Sequence, residues 1–232
     1  MTAYLFDPPR VFSIPITGET AEYPVSRIFC VGRNYAAHAA EMGGEVDREA
    51  PWYFTKSPQH AVGSGAEMPY PPGTENYHHE IELAFAIGLP VFRADAATAR
   101  KAICAYGVAL DMTRRDRQQD GKDNRRPWDL GKDVEGSAVF APLTRATELG
   151  ALGDRRIHLE VNGETRQDAT LSELVWSCEE VVAHLSRFYH LHPGDVVMTG
   201  TPAGVGPVVA GDVITGGIDG LEPISLSLGD PE

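Results

Sequence analysis

The stretch Tyr77-His78-His79-Glu80-Ile81-Glu82-Leu83-Ala84-Phe85-Ala86-Ile87-Gly88 decides how the chain folds. It reads as one strand carrying two carboxylates with a residue between them. Side chains of a strand alternate sides, so Glu80, Glu82, Ala84 and Ala86 share one face, and Ile81, Leu83, Phe85 and Ile87 the other. In a helix the two glutamates would point about 200° apart. The aliphatic face belongs to a core. The acidic face turns to alanine after Glu82, the pattern of a small polar cavity whose floor stays open, whereas a solvated strand would stay polar. Two like charges on one face call for a proton or a cation between them, and a metal ion is the simplest such cation.

The whole chain sets bounds on this reading. Its 232 residues, 42% hydrophobic and 23% charged, suffice for one large β-rich domain with a sizeable core. The 24 glycines and 17 prolines indicate many turns. A net charge of −13 argues against a nucleic-acid surface, which needs clustered cations, and favours small-molecule chemistry. Cys30, Cys104 and Cys178 are odd in number and far apart, so neither a disulfide framework nor a zinc knuckle is indicated. The apolar runs are broken well before the ~20 residues a membrane span needs. A cytoplasmic protein with no membrane or nucleic-acid partner is expected.

Upstream, residues 1–24 read as an N-terminal arm or hairpin, and 25–232 as a single domain. Arg27-Ile28-Phe29-Cys30-Val31-Gly32 is a buried-strand candidate. Asn34 then caps a helix from Tyr35 to Met42, on which His38 and Glu41 stand three apart on one face. An imidazole beside a carboxylate can orient a general base that takes a proton from water, although the same spacing also decorates ordinary helix surfaces. The glycine-containing charged segment 43–49 suits a lid. Trp52 to Lys56 is a further strand.

Downstream, Tyr106 to Leu110 is a strand ending in Asp111. Glu80, Glu82 and Asp111 together offer three hard oxygen ligands, a set suited to Mg²⁺, Mn²⁺ or Ca²⁺ rather than zinc or copper. His78, in phase with Glu80, stands behind these ligands, and His79 points to the core. Thr113 to Arg126 reads as a cationic loop, with six Lys or Arg against three Asp. Such a loop beside acids suggests an anionic substrate bridged by a metal. Lys132 follows in an apolar setting. Asn162-Gly163 marks a hairpin turn. Ser177 to Glu180 is a capping box, opening a helix with Val181, Val182, Leu185, Phe188 and Tyr189 inward. The glycines of Gly200-Thr201-Pro202-Ala203-Gly204-Val205-Gly206 let backbone approach a ligand, with Thr201 offering a hydroxyl.

Taken in order, five motifs resemble the fumarylacetoacetate hydrolase family in its short acylpyruvate-hydrolase branch. They are Val31 to His38, His79 to Glu82, Leu110 to Asp116, Pro127-Trp128 with Lys132, and Thr199 to Gly206, and the likeness covers roughly Arg27 to Leu228. The resemblance implies an α+β, β-rich fold, a mixed β-sandwich roll with a few peripheral helices, forming homodimers. It also implies metal ligands at Glu80, Glu82 and Asp111, a water-activating pair at His38 and Glu41, and an active-site lysine at Lys132. Substrate contacts fall on Arg115, Gln118 and Thr201, with Arg115 able to grip a carboxylate bidentately.

The activity so implied is Mg²⁺- or Mn²⁺-dependent cleavage of a carbon–carbon bond in a small anionic 2,4-dioxo acid. Fumarylpyruvate, split to fumarate and pyruvate in aromatic degradation by the gentisate route, is the expected substrate. Oxaloacetate decarboxylation or ketoacid isomerisation would use the same site, and a non-catalytic metal-binding protein is the reading from another class. After Lys132 many members carry a small residue and Phe. Here Asp133-Val134-Glu135 stands instead, so a different pocket wall is expected there.

Overall fold

The computed structural model describes residues 3–43 and 48–232. Its central element is an eight-stranded mixed sheet. The strand order runs Trp52–Lys56, Arg27–Gly32, Asp195–Met198, Ile81–Ile87, Ile103–Asp111, Ala138–Phe140 and Ala61–Gly63. The short strand Thr144–Arg145 also pairs with Ile103–Asp111. Neighbours are antiparallel except at Arg27–Gly32 with Asp195–Met198, and at Ala138–Phe140 with Ala61–Gly63.

A second sheet orders Glu164–Thr170, Arg156–Val161, Val213–Ile218, Ile224–Gly229 and Ala66–Pro69. Ile81, Leu83, Phe85 and Ile87 face it, in one core with Ile157, Leu159, Ile214 and Leu226. The few helices are short, and the fold is α+β and β-rich. Asn162 and Gly163 both hold positive φ, 53° and 79°, at the turn between Arg156–Val161 and Glu164–Thr170, as a type I′ turn demands.

The deciding stretch is two strands, not one. Tyr77–His79 belongs to a three-stranded sheet with Thr113–Arg114 and Gly206–Val208, while Ile81–Ile87 belongs to the large sheet. The chain changes sheets at Glu80. Alternation still places Glu82, Ala84 and Ala86 together, but the alanines do not floor a cavity. They lie in a second core with Ile14, Tyr23, Cys30 and Met198, beneath the hairpin formed by Ser13–Pro15 and Glu22–Pro24. Small side chains let that hairpin lie close on the sheet. All seven residues of Ile81–Ile87 are buried because both sheet faces are covered.

Three helical expectations are corrected. The first helix is Ala36–Glu41, preceded by Tyr35 without a side-chain cap. Asn34 is not its cap. Asn34 is buried and donates to Thr199 O at 2.8 Å and Trp176 O at 3.0 Å, while accepting from Trp176 N at 2.7 Å. Thr113–Arg126 is not a loop, since Arg115–Asp123 is a helix whose inward residues are Arg115, Gln118 and Gly121. Its buried face is polar, so hydrophobic periodicity carries no sign of it. The capping box at Ser177 is present, but its helix stops at Leu185, which leaves Phe188 and Tyr189 exposed rather than inward.

One hydroxyl helps fasten the hairpin, beside the backbone bonds from Leu143 N to Pro15 O at 2.8 Å and from Thr17 N to Leu143 O at 2.9 Å. Tyr23 Oη donates toward Ile87 O at 2.7 Å and Asp195 O at 2.9 Å, and accepts from Gly194 N at 2.7 Å. Tyr23→Phe leaves the buried Gly194 N–H without its acceptor, a loss of about 1–3 kcal/mol. Urea unfolding should show a lower midpoint at unchanged slope. An unshifted midpoint would mean that this hydroxyl does not hold the hairpin.

Candidate active site

The register of the large sheet assembles the acids. Ile81 pairs with Leu110 and Glu82 with Ala109, and the same register continued brings Asp111 N onto Glu80 O at 2.9 Å. Glu80 therefore stands across from Asp111, with Glu82 on the diagonal. All three are buried, and one carboxylate oxygen from each lies within 4.8 Å of the others.

Cations compensate two of the three. Lys132 Nζ donates to Glu80 Oε2 at 2.9 Å, Asp111 Oδ2 at 2.7 Å and Thr113 Oγ1 at 2.7 Å. Arg115 Nη2 donates to Glu80 Oε1, its Nη1 to Gln118 Oε1 at 2.8 Å, and its Nε faces His78 Nδ1 at 3.5 Å. Lys56 Nζ approaches Asp111 Oδ1 at 2.9 Å without hydrogen-bond alignment. It donates to Met112 O at 3.1 Å and Ser137 Oγ at 2.9 Å, and also to Lys132 O.

Glu82 is different. It accepts the Gly200 amide at 2.7 Å and has no ion-pair partner among the described residues. Burial, then the charges of Asp111 and Glu80, push its carboxyl well above the usual range. Burial also disfavours the Glu80 carboxylate, but Lys132 and Arg115 outweigh this and hold it well below the usual range. Burial opposes the charge on Lys132 too, and Asp111 and Glu80 outweigh it, so its pKa is raised. The clustered oxygens fit a hard divalent cation such as Mg²⁺ or Mn²⁺, and the uncompensated charge on Glu82 is what such an ion would neutralise.

The short helix sets His38 over these acids in the same cleft. His38 Nδ1 lies 3.1 Å from Glu41 Oε2, and the Gly204 amide donates to Glu41 Oε1 at 3.1 Å and Oε2 at 3.3 Å. The glycine-rich loop thus holds both site halves through backbone N–H groups. Gly200 and Gly204 have φ of +96° and +95°, and a Cβ on Gly204 would come within 2.0 Å of Arg166 O. Of the segment expected as a lid, residues 44–47 lie outside the described residues.

All nine residues singled out in the sequence except Glu41 line this cleft; Glu41 stands behind His38. Thr201 is held by Gln167 Nε2 at 2.8 Å, and Gln167 Oε1 accepts Ile81 N at 3.0 Å. His79 is buried with its Nδ1 3.3 Å from Gln167 Oε1, and it contributes no ligand to the acid cluster. The wall expected to change at Asp133-Val134 does not border the cleft. Asp133 turns outward, accepting Ser57 N at 2.9 Å beside His60 Nδ1 at 2.7 Å, and Val134 enters the main core.

Sequence reading missed Lys56, Arg33, Lys122, Phe54 and Trp128. Lys56 lies in phase with Phe54, whose ring sits 4.9 Å from Lys132 Nζ, a relation visible only once the strands are placed.

Residues 27–226 match the family described as fumarylacetoacetate (FAA) hydrolase C-terminal. The chain belongs to this fumarylacetoacetate hydrolase family and is an enzyme. It is 48% identical over 197 residues to a fumarylpyruvate hydrolase of Ralstonia sp, covering 82% of this chain and all of the relative. It is 40% identical over 204 residues to an oxaloacetate tautomerase of Escherichia coli strain K12, covering 88% and 93%. The crystal structure of a Pseudomonas aeruginosa fumarylpyruvate hydrolase in complex with Mn²⁺ and pyruvate superposes with a TM-score of 0.95 at 44% identity. That likeness covers 98% of this chain and all of the other. Among the described residues no helix is long and apolar enough to cross a membrane.

The raised Glu82 carboxyl gives a pH test. A folded pKa above the unfolded one means that stability is lost as pH rises through the folded value, because an uncompensated charge is then buried. A bound cation removes that penalty. The rise in melting temperature on adding Mn²⁺ should therefore grow as pH rises above the ordinary carboxylate range, and Glu82→Gln should flatten this growth. A rise independent of pH in the unsubstituted protein would contradict the assignment.

Proposed function

We propose that this enzyme hydrolyses the carbon–carbon bond between C3 and C4 of a 2,4-dioxo acid, with fumarylpyruvate as substrate and fumarate and pyruvate as products. The observation that carries the reading is the His38–Glu41 pair held over three buried carboxylates in one cleft. Likeness to fumarylpyruvate hydrolases over most of both chains supports the choice of substrate.

Glu80, Glu82 and Asp111 would hold the divalent cation. When bound, it supplies Lewis-acid stabilisation of negative charge developing on the pyruvoyl oxygens. With Nδ1–H directed at Glu41, the His38 ring presents Nε2 as its acceptor. Nε2 takes a proton from water, whose oxygen adds to the C4 carbonyl. Breaking C3–C4 sends the bonding pair into pyruvate enolate, which a proton then converts to pyruvate, so one water is consumed per bond cleaved. Glu41, fixed by the Gly204 amide, keeps the ring oriented and stabilises its positive charge. Lys132 keeps Glu80 and Asp111 in register and adds positive charge beside the reacting oxygens. Arg115 and Gln118 brace Glu80 from the other side, and Thr201 presents its hydroxyl at the cleft wall.

A second reading rests on the 40% identical oxaloacetate tautomerase. Moving a proton between C3 and the 2-oxo oxygen needs the same oxygens and a base but no attacking water. Fumarate release by the unsubstituted enzyme separates the two, and His38→Ala tests the base: hydrolysis of fumarylpyruvate, followed by loss of enol absorbance and by fumarate release, should fall about 100- to 10,000-fold. An unsubstituted enzyme that releases no fumarate while accelerating oxaloacetate tautomerisation would overturn the hydrolase reading.

A further inference from the structure

Two cations line the cleft without serving the acids. Arg33 and Lys122 both border it, both are half-buried, and neither forms an ion pair with an acid among the described residues. Each is laid against an indole. The Arg33 guanidinium lies 4.5 Å from the Trp52 ring centroid, and Lys122 Nζ lies 5.5 Å from that of Trp128. Stacking of this kind positions a cation while leaving its N–H groups free to bond elsewhere. Burial, then the nearby charges of Arg115 and Arg33, hold Lys122 below its usual range.

Such an arrangement costs stability unless it serves something. Arg33 also adopts a left-handed backbone conformation, φ +57°, which a non-glycine residue holds only when the surroundings enforce it. In a protein of net charge −13, cations at one cleft with no acid partner among the described residues are a local reversal of sign that draws anions inward. Arg115, expected from the sequence to grip a carboxylate, already directs its guanidinium to Glu80, Gln118 and His78. A carboxylate at the far end of a substrate must find other donors.

We propose that Arg33 and Lys122 form the receptor for a second, distal carboxylate, so that the cleft selects dicarboxylic acylpyruvates over acylpyruvates with uncharged acyl groups. Phe54, whose ring sits 4.9 Å from Lys132 Nζ, and Trp128, beside Lys122, also border the cleft and give the unsaturated carbon chain an apolar path from the acid cluster. The inference rests on the acylpyruvate reading for its reaction, but not for its recognition chemistry.

The test compares fumarylpyruvate with acetylpyruvate as paired substrates. Arg33→Gln and Lys122→Gln are made separately, so that a folding defect of one leaves the other informative. Each should lower kcat/KM for fumarylpyruvate about 10- to 100-fold more than for acetylpyruvate, the loss of one charge-assisted contact. Equal losses on both substrates, or no loss in either variant, would overturn the receptor. Binding of fumarate against crotonate, its monocarboxylate counterpart, is measured by calorimetry alongside. The unsubstituted protein should prefer fumarate, and both variants should lose that preference. If neither acylpyruvate is turned over, the hydrolase reading fails while this measurement still decides the receptor, since equal binding of the two acids contradicts it.

Discussion

Three buried carboxylates with oxygens within 4.8 Å of one another are the constraint on which the structure depends. Glu80 has Lys132 and Arg115, and Asp111 has Lys132 and Lys56, yet among the described residues Glu82 receives only a backbone amide. Desolvating charges of one sign is costly, and removing a partner from a buried pair costs about 3–5 kcal/mol. The two lysines therefore act structurally whatever else they do. Lys56 also bonds the carbonyls of Met112 and Lys132, tying the end of Ile103–Asp111 to the helix that carries Lys132. The charge left over at Glu82 is where a divalent cation adds most.

The fold brings these groups together by changing sheets at Glu80. The large sheet sets the spacing of Glu82 and Asp111, the small sheet carries His79 away toward Gln167, and the glycine-rich loop runs beside both. Because Gly200 N bonds Glu82 and Gly204 N bonds Glu41, one loop positions the acid cluster and the base pair. This is preorganisation by backbone, with little side-chain entropy left to lose when substrate arrives.

Much of this was legible in the sequence, for physical reasons. Period two set the faces of Ile81–Ile87 and so the side of Glu82, and a three-residue helical spacing paired His38 with Glu41. Asn162-Gly163 and Ser177-Glu180 behave as their turn and cap chemistry requires. What was not legible depended on contacts distant in sequence. Asn34 has the composition of a cap, but Thr199 and Trp176 claim its side chain. The alanines after Glu82 looked like a cavity floor because nothing local shows that the hairpin covers them. The helix Arg115–Asp123 buries a polar face, and Arg33 and Lys122 acquire meaning only when Trp52 and Trp128 are placed beside them.

The central claim is that water is added across a carbon–carbon bond in this cleft. Turnover of fumarylpyruvate in ¹⁸O-labelled water, with mass analysis of both products, tests it most directly. One labelled oxygen in the carboxylate of the released fumarate, formed together with pyruvate, is the predicted result. Substrate recovered uncleaved, with no fumarate formed, would contradict the account.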